Sequence, residues 1–159
     1  MPLSTAPSSS PSPDATAAAL QWLAEQASAM QELLQQVVDT DSGSGDVEGV
    51  QRVAGLLRAR LEAAGIAVQT LPEPGWGECL LARVPGHNPA ATGHLQLMGH
   101  MDTVFPRGTA AQRPFRVEAG RAYGPGVADM KSGLVMNVFV LEALARFGGN
   151  ASPVQLFFS

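Results

Sequence analysis

The sequence is short of nearly everything that marks a secreted, membrane-bound or nucleic-acid-binding chain. It has one cysteine, Cys79, so no internal disulfide can form. That residue opens an apolar, strand-like run, residues 79–82, where a buried and inert thiol in a reducing compartment is expected. No Lys or Arg occurs before Arg52, while seven of the 14 acids do, so the net charge of −4 divides into −7 over residues 1–51 and +3 over the remainder. That is too little positive charge for a phosphate-binding surface, and no nucleic-acid partner is expected. A secretory leader needs a basic start and an apolar run of about 7–15 residues, whereas this N-terminus is Pro, Ser, Thr and Ala with Asp14 its first charge. No leader is expected. The most apolar stretch, residues 134–147, is interrupted by Asn137, Glu142 and Arg146 and falls short of the ~20 apolar residues that span a bilayer. The expectation is a cytoplasmic protein with no membrane segment.

What is present suits one ordinary domain, with 45% hydrophobic and 15% charged residues among 159. Residues 1–14 are low in complexity and read as a disordered tail, because they cannot bury enough apolar surface to offset the entropy of ordering. Residues 15–159 read as the domain itself. Leu20, Leu23, Ala27, Met30, Leu34 and Val37 recur at steps of three and four, which predicts a helix over 15–38. The Asp, Thr, Ser and Gly run at 39–45 breaks that period and supplies turn residues. A second helix then follows, with Asp46 as N-cap, Glu48 in the first turn, a stripe through Val50, Val53, Leu57 and Leu61, and Gly65 at its end. Short apolar runs at 66–71, 79–84 and 95–98, separated by Pro and Gly, read as strands. Residues 99–130 read as mostly irregular, 131–147 as a helix buried against a sheet, and 154–158 as a last strand. This order predicts an α/β fold, a mixed sheet with covering helices whose final strand is reached by a crossover.

Two constellations carry chemistry. His100 and Asp102 follow the strand at 95–98, where α/β sheets place ligands. In extended backbone they project to one side, so the carboxylate can orient the imidazole and raise its basicity as a metal ligand. A histidine at a loop end beside a turn aspartate is the plainer reading of the same three residues. The second constellation is the glycine-rich run 123–133, in which Asp129 precedes the buried helix. It could hold or bridge metal ions, or simply cap the helix. A phosphate loop does not fit, since an acid stands where the third glycine would be and no Gly-Lys-Ser/Thr end is present. Lys131, the chain's one lysine, is placed to orient Asp129 or its neighbours.

Taken together, residues 100–104, 113–118, 122–126 and 128–131 resemble the bacterial glutamate carboxypeptidases, grouped with acetylornithine deacetylase, succinyl-diaminopimelate desuccinylase and the aminoacylases, a family of two-zinc metallopeptidases. The resemblance covers roughly residues 45–159. It implies a zinc-exopeptidase-like catalytic domain, His100 as a zinc ligand, Asp102 as the catalytic residue steadying that imidazole, Asp129 as the ligand bridging two zinc ions, and a cis peptide after Asp129. It also implies an adjacent Glu-Glu pair, the general base and a further ligand, due after a strand like that at 154–158. The domain is therefore expected to be incomplete at its C-terminus and inactive as it stands. Further ligands and a lid domain through which the parent could dimerise belong to the same expectation. Ser132 stands where many members have Gly.

The resemblance implies a hydroxide attack on an amide carbonyl polarised by metal, with a carboxylate taking and returning the proton. Three activities stay open on these residues. One is a peptidase that cleaves a C-terminal amide bond, with a small peptide as substrate. The second is an N-acyl amino acid deacylase on the same scaffold, and the third a truncated module without catalysis.

Overall fold

The computed structural model of the protein describes residues 13–159. The expected tail at 1–14 lies outside the described residues except for Pro13 and Asp14, which begin the first helix. Helices α1 (Pro13–Glu25) and α2 (Ala27–Val38) replace the single helix expected over 15–38. They part at Gln26, whose backbone turns to φ −87°, ψ 4°. No proline or glycine marks that break. Its consequence is tertiary: α1 is free to lie across a later helix, α5 (Ser132–Phe147), with the Trp22 ring 6.3 Å from Phe139 and 6.1 Å from Phe147.

Helix α3 (Val47–Ala63) starts as its sequence dictates, with the Asp46 carboxylate accepting the Gly49 amide at 3.0 Å. Its stripe of Val50, Val53, Leu57 and Leu61 is buried. Strands β1 (Val68–Glu73), β2 (Gly77–Val84) and β3 (Leu95–Gly99) follow. A short helix α4 (Thr109–Gln112) and a hairpin of β4 (Arg116–Glu118) and β5 (Arg121–Tyr123) occupy the region expected to be irregular. The hairpin turns on Ala119 (φ 49°) and Gly120 (φ 74°). Two consecutive positive φ values match the right-handed twist of the strands they join, and the turn needs residues that tolerate them. Helix α5 (Ser132–Phe147) leads to β6 (Val154–Phe158).

The sheet order is β1-β2-β6-β3, with β6 antiparallel to β2 and parallel to β3. Cross-strand pairs Leu80 and Phe158, Ala82 and Leu156, and Val84 and Val154 are all buried, so one face of the sheet forms a core with α3 and α5. Each large side chain so enclosed contributes roughly 1.5–3 kcal/mol of hydrophobic stabilisation. The parallel pairing matters for function, because it carries β3 and β6 to the same edge of the core and leaves their C-terminal ends side by side. Met101 donates its amide to the Ser159 carbonyl at 2.6 Å, and Ser159 donates to the Gly99 carbonyl at 3.0 Å. Among the described residues no helix is long and apolar enough to cross a membrane.

Candidate metal centre

His100 stands one residue beyond β3. Its Nδ1 donates to Asp102 Oδ1 and to the Asp102 carbonyl, each at 3.0 Å. Two acceptors on that nitrogen favour the tautomer protonated there, which leaves the Nε2 lone pair pointing outward as a ligand. Extended geometry ends at Gly99, yet the imidazole and carboxylate still meet on one side.

Asp129 arrives from the opposite direction. It lies in the turn Val127–Lys131, with non-helical backbone at Asp129 (φ −136°, ψ 94°) and at Met130, and the Asp129–Met130 peptide bond is cis, as the resemblance implies. Helix α5 has no side-chain cap at its N-terminus, so the capping role open to Asp129 is not the one it plays. Its carboxylate instead reaches His100, with Oδ1 3.1 Å from Nε2, and 88% of the side chain is exposed. Gly126 makes the approach feasible. It holds φ +72°, and a Cβ there would come within 2.5 Å of Thr103 Cγ2 on the His100 loop.

The electrostatics of this pair point to a cation. Burial alone would depress the His100 pKa, but hydrogen bonds to Asp129 and Asp102 outweigh it and raise the pKa. Nε2 faces the Asp129 carboxylate, so a positive metal ion held there would lie between the ring and that acid. Zinc binds histidine nitrogen and carboxylate oxygen at about 2.0–2.2 Å, so two of its ligands in a tetrahedral shell lie about 3.4 Å apart. The observed 3.1 Å is close to that separation, and the donor chemistry suits zinc. His100 and Asp129 could supply two of the three protein ligands a catalytic zinc ion ordinarily has. Among the described residues no cluster of three or more His, Cys, Asp or Glu is grouped tightly enough to hold a metal unaided.

The residues at 39–45, read from sequence as a mere turn, wrap this site. Ser44 Oγ donates to Asp102 Oδ2, Ser42 Oγ donates to the Met101 carbonyl at 2.9 Å, and Gly43 bridges Thr103 in parallel. Asp41 accepts the amides of Gly108 and Ala110 at 2.6 and 2.9 Å, and Asp39 accepts that of Phe115 at 2.7 Å. Lys131 corrects another expectation. It is 1% exposed, and its ammonium donates to the Thr40 carbonyl at 2.7 Å rather than orienting Asp129. Burial lowers its pKa to about 8, against the opposing pull of Asp41 and Asp39. Cys79 is half-buried rather than buried, and burial followed by the nearby Glu73 charge raises its thiol pKa.

Comparison with known proteins supplies the last observation. Residues 96–159 match the model of Peptidase family M20/M25/M40. The chain is 36% identical over 117 residues to carboxypeptidase G2 of Pseudomonas sp. (strain RS-16), an alignment covering 72% of this chain and 28% of that protein. It is 38% identical over 104 residues to succinyl-diaminopimelate desuccinylase of Rhodopseudomonas palustris (strain BisB18), covering 60% and 26%. Its fold superposes on human carnosine dipeptidase 1 with a TM-score of 0.71 at 16% identity, over 89% of this chain and 33% of that one. The M20 family metallo-carboxypeptidase Sso-CP2 from Sulfolobus solfataricus gives 0.66 at 21% identity, over 82% and 30%. The chain therefore spans little more than a quarter of the length of these curated relatives.

Proposed function

We propose, because residues 96–159 match the model of Peptidase family M20/M25/M40, that this chain carries part of the zinc centre of a hydrolase that cleaves a C-terminal amide bond, in the manner of a glutamate carboxypeptidase. The observation that carries the reading is the convergence of His100 Nε2 and Asp129 Oδ1 from two loops at one edge of the core. His100 and Asp129 would hold zinc, with Asp129 bridging to a second ion. Zinc, when bound, supplies Lewis acidity that polarises an amide carbonyl and acidifies water. Asp102 keeps the proton on Nδ1 and so presents the Nε2 lone pair. Committed to His100 through one oxygen and to Ser44 through the other, Asp102 is a poor general base. The substrate on this reading is a small peptide, and the cytoplasmic placement is supported by the single free Cys79.

A second reading, deacylation of an N-acyl amino acid, is supported by the 38% identity to a desuccinylase. The two readings share the centre and differ in what occupies the acyl side of the bond. The test uses the intact protein purified with zinc and offered acyl-glutamate, folate-type and N-succinyl substrates. We expect hydrolysis of at least one, with zinc content and turnover both lost in His100→Ala and in Asp129→Ala. Full zinc occupancy and unchanged rates in both variants would falsify the centre.

A further inference from the structure

The Asp102 carboxylate is held at both ends. Oδ1 takes the proton of His100 Nδ1 at 3.0 Å, and Oδ2 takes that of the Ser44 hydroxyl. We propose that Ser44 is a positioning residue of the metal centre, fixing the Asp102 carboxylate and through it the tautomer and direction of His100. The inference rests on the metal reading given above.

Three observations support it. The Asp102 side chain is 35% exposed, so water competes for the carboxylate, and His100 alone does not stop it rotating about its own bond. A second, fixed donor on Oδ2 does. Ser44 is itself brought there by backbone rather than by chance of a surface rotamer: Thr103 donates to the Ser42 carbonyl at 2.7 Å and Ser44 donates to the Thr103 carbonyl at 3.0 Å. Residues 42–44 therefore lie alongside 101–103 like a short parallel ladder. Finally, that ladder is anchored at both ends, by Lys131 on the Thr40 carbonyl and by the Asp46 cap of α3. Lys131 lies two residues beyond Asp129, so one segment fastens the loop of each ligand.

The experiment compares wild type, Ser44→Ala and Ser44→Thr of the intact protein by two measurements. Long-range proton–nitrogen NMR of the metal-free protein at alkaline pH, where the ring is neutral, reads the His100 tautomer without any activity. Competition with a chromophoric chelator reads zinc affinity. We expect the Nδ1–H form to dominate in wild type and Ser44→Thr, and Ser44→Ala to show a mixture with Nε2–H and about 10-fold weaker zinc binding, the low end for loss of a partner behind a ligating histidine. A wild-type tautomer and affinity in Ser44→Ala would overturn the inference, as would an equal loss in Ser44→Thr, which keeps the hydroxyl. His100→Ala that binds zinc as tightly as wild type would overturn the metal reading instead, and leave the NMR comparison to judge Ser44.

Discussion

The pin between α3 and α5 lends itself to a quantitative test. Glu142 is 5% exposed and takes two hydrogen bonds from Arg60, at 2.6 Å from Nε and 2.7 Å from Nη2. The guanidinium also lies 4.5 Å from the centre of the Phe139 ring. Removing one partner of such a pair ordinarily costs about 3–5 kcal/mol, because the other charge stays buried without compensation. The two partners are unequal here. Arg60 is 31% exposed and can turn into water once Glu142 is gone, whereas Glu142 has no such escape. Arg60→Met should therefore lose about 3 kcal/mol, the low end of that range, since the methionine sulfur recovers part of the contact with Phe139. Glu142→Leu should lose about 1 kcal/mol or less, offset in part by new apolar burial in the core.

The double variant, Arg60→Met with Glu142→Leu, replaces the ion pair by apolar packing and should lie within about 1 kcal/mol of wild type. Urea unfolding reads all four proteins. With a slope near ~2 kcal/mol/M, Arg60→Met should lower the midpoint by about 1.5 M and the double variant should recover most of it. Additive losses in the double variant, or equal losses in the two single variants, would refute the argument that the buried carboxylate sets the cost.

Two further outcomes follow from the edges of the site. Asp46 is held below its ordinary pKa of 3.8 by the Arg107 guanidinium, then by the Gly49 amide. A depressed acid contributes stability above its unfolded value and loses it as pH falls through the folded one. The stability gap between wild type and Arg107→Ala should thus stay constant from neutral pH to just above 3.8 and close below it; a gap that widens in acid would contradict the assignment. Gly126→Ala should lose roughly 1–2 kcal/mol from its left-handed backbone alone, and the contact with Thr103 should push the Asp129 turn away from His100. Thermal melts and zinc titration together check this, and an unchanged result in both would remove Gly126 from the argument.

How much of this could be read from the sequence depends on where each element finds its partners. Helix α3 was legible because its cap, stripe and terminator all lie within 20 residues, and β2, β3 and β6 because apolar runs bounded by Pro and Gly leave few other options. The break at Gln26 was not, since Trp22 gains its reason to turn only from Phe139 and Phe147 on α5. The β4–β5 hairpin escaped because its strands have three residues each and its turn is Ala-Gly, where Asn-Gly or Asp-Gly is the strong signal. His100, Asp102 and Asp129 stood out only by joint resemblance, each alone having a plainer structural role. The geometry separates those roles for Asp129, whose carboxylate turns to His100 and leaves α5 uncapped.

The segment at 39–45 is the sharpest case. Asp, Thr, Ser and Gly in a row are what any turn looks like, and nothing in their spacing distinguishes a turn that joins two helices from one that also braces the segments of His100 and Asp129. The distinction lies in their partners, which are mostly backbone atoms 58–91 positions away and so carry no residue-type signature of their own. Asp39 and Asp41 spend their carboxylates on amides of the loop after β3, Thr40 offers a carbonyl to a buried ammonium, and Ser42 and Ser44 hold residues 101–103. A polar group that is buried or half-buried must find a partner, and here the turn finds its partners on the segments that carry His100 and Asp129. The same requirement that keeps the turn polar thus ties the segment of His100 to that of Asp129.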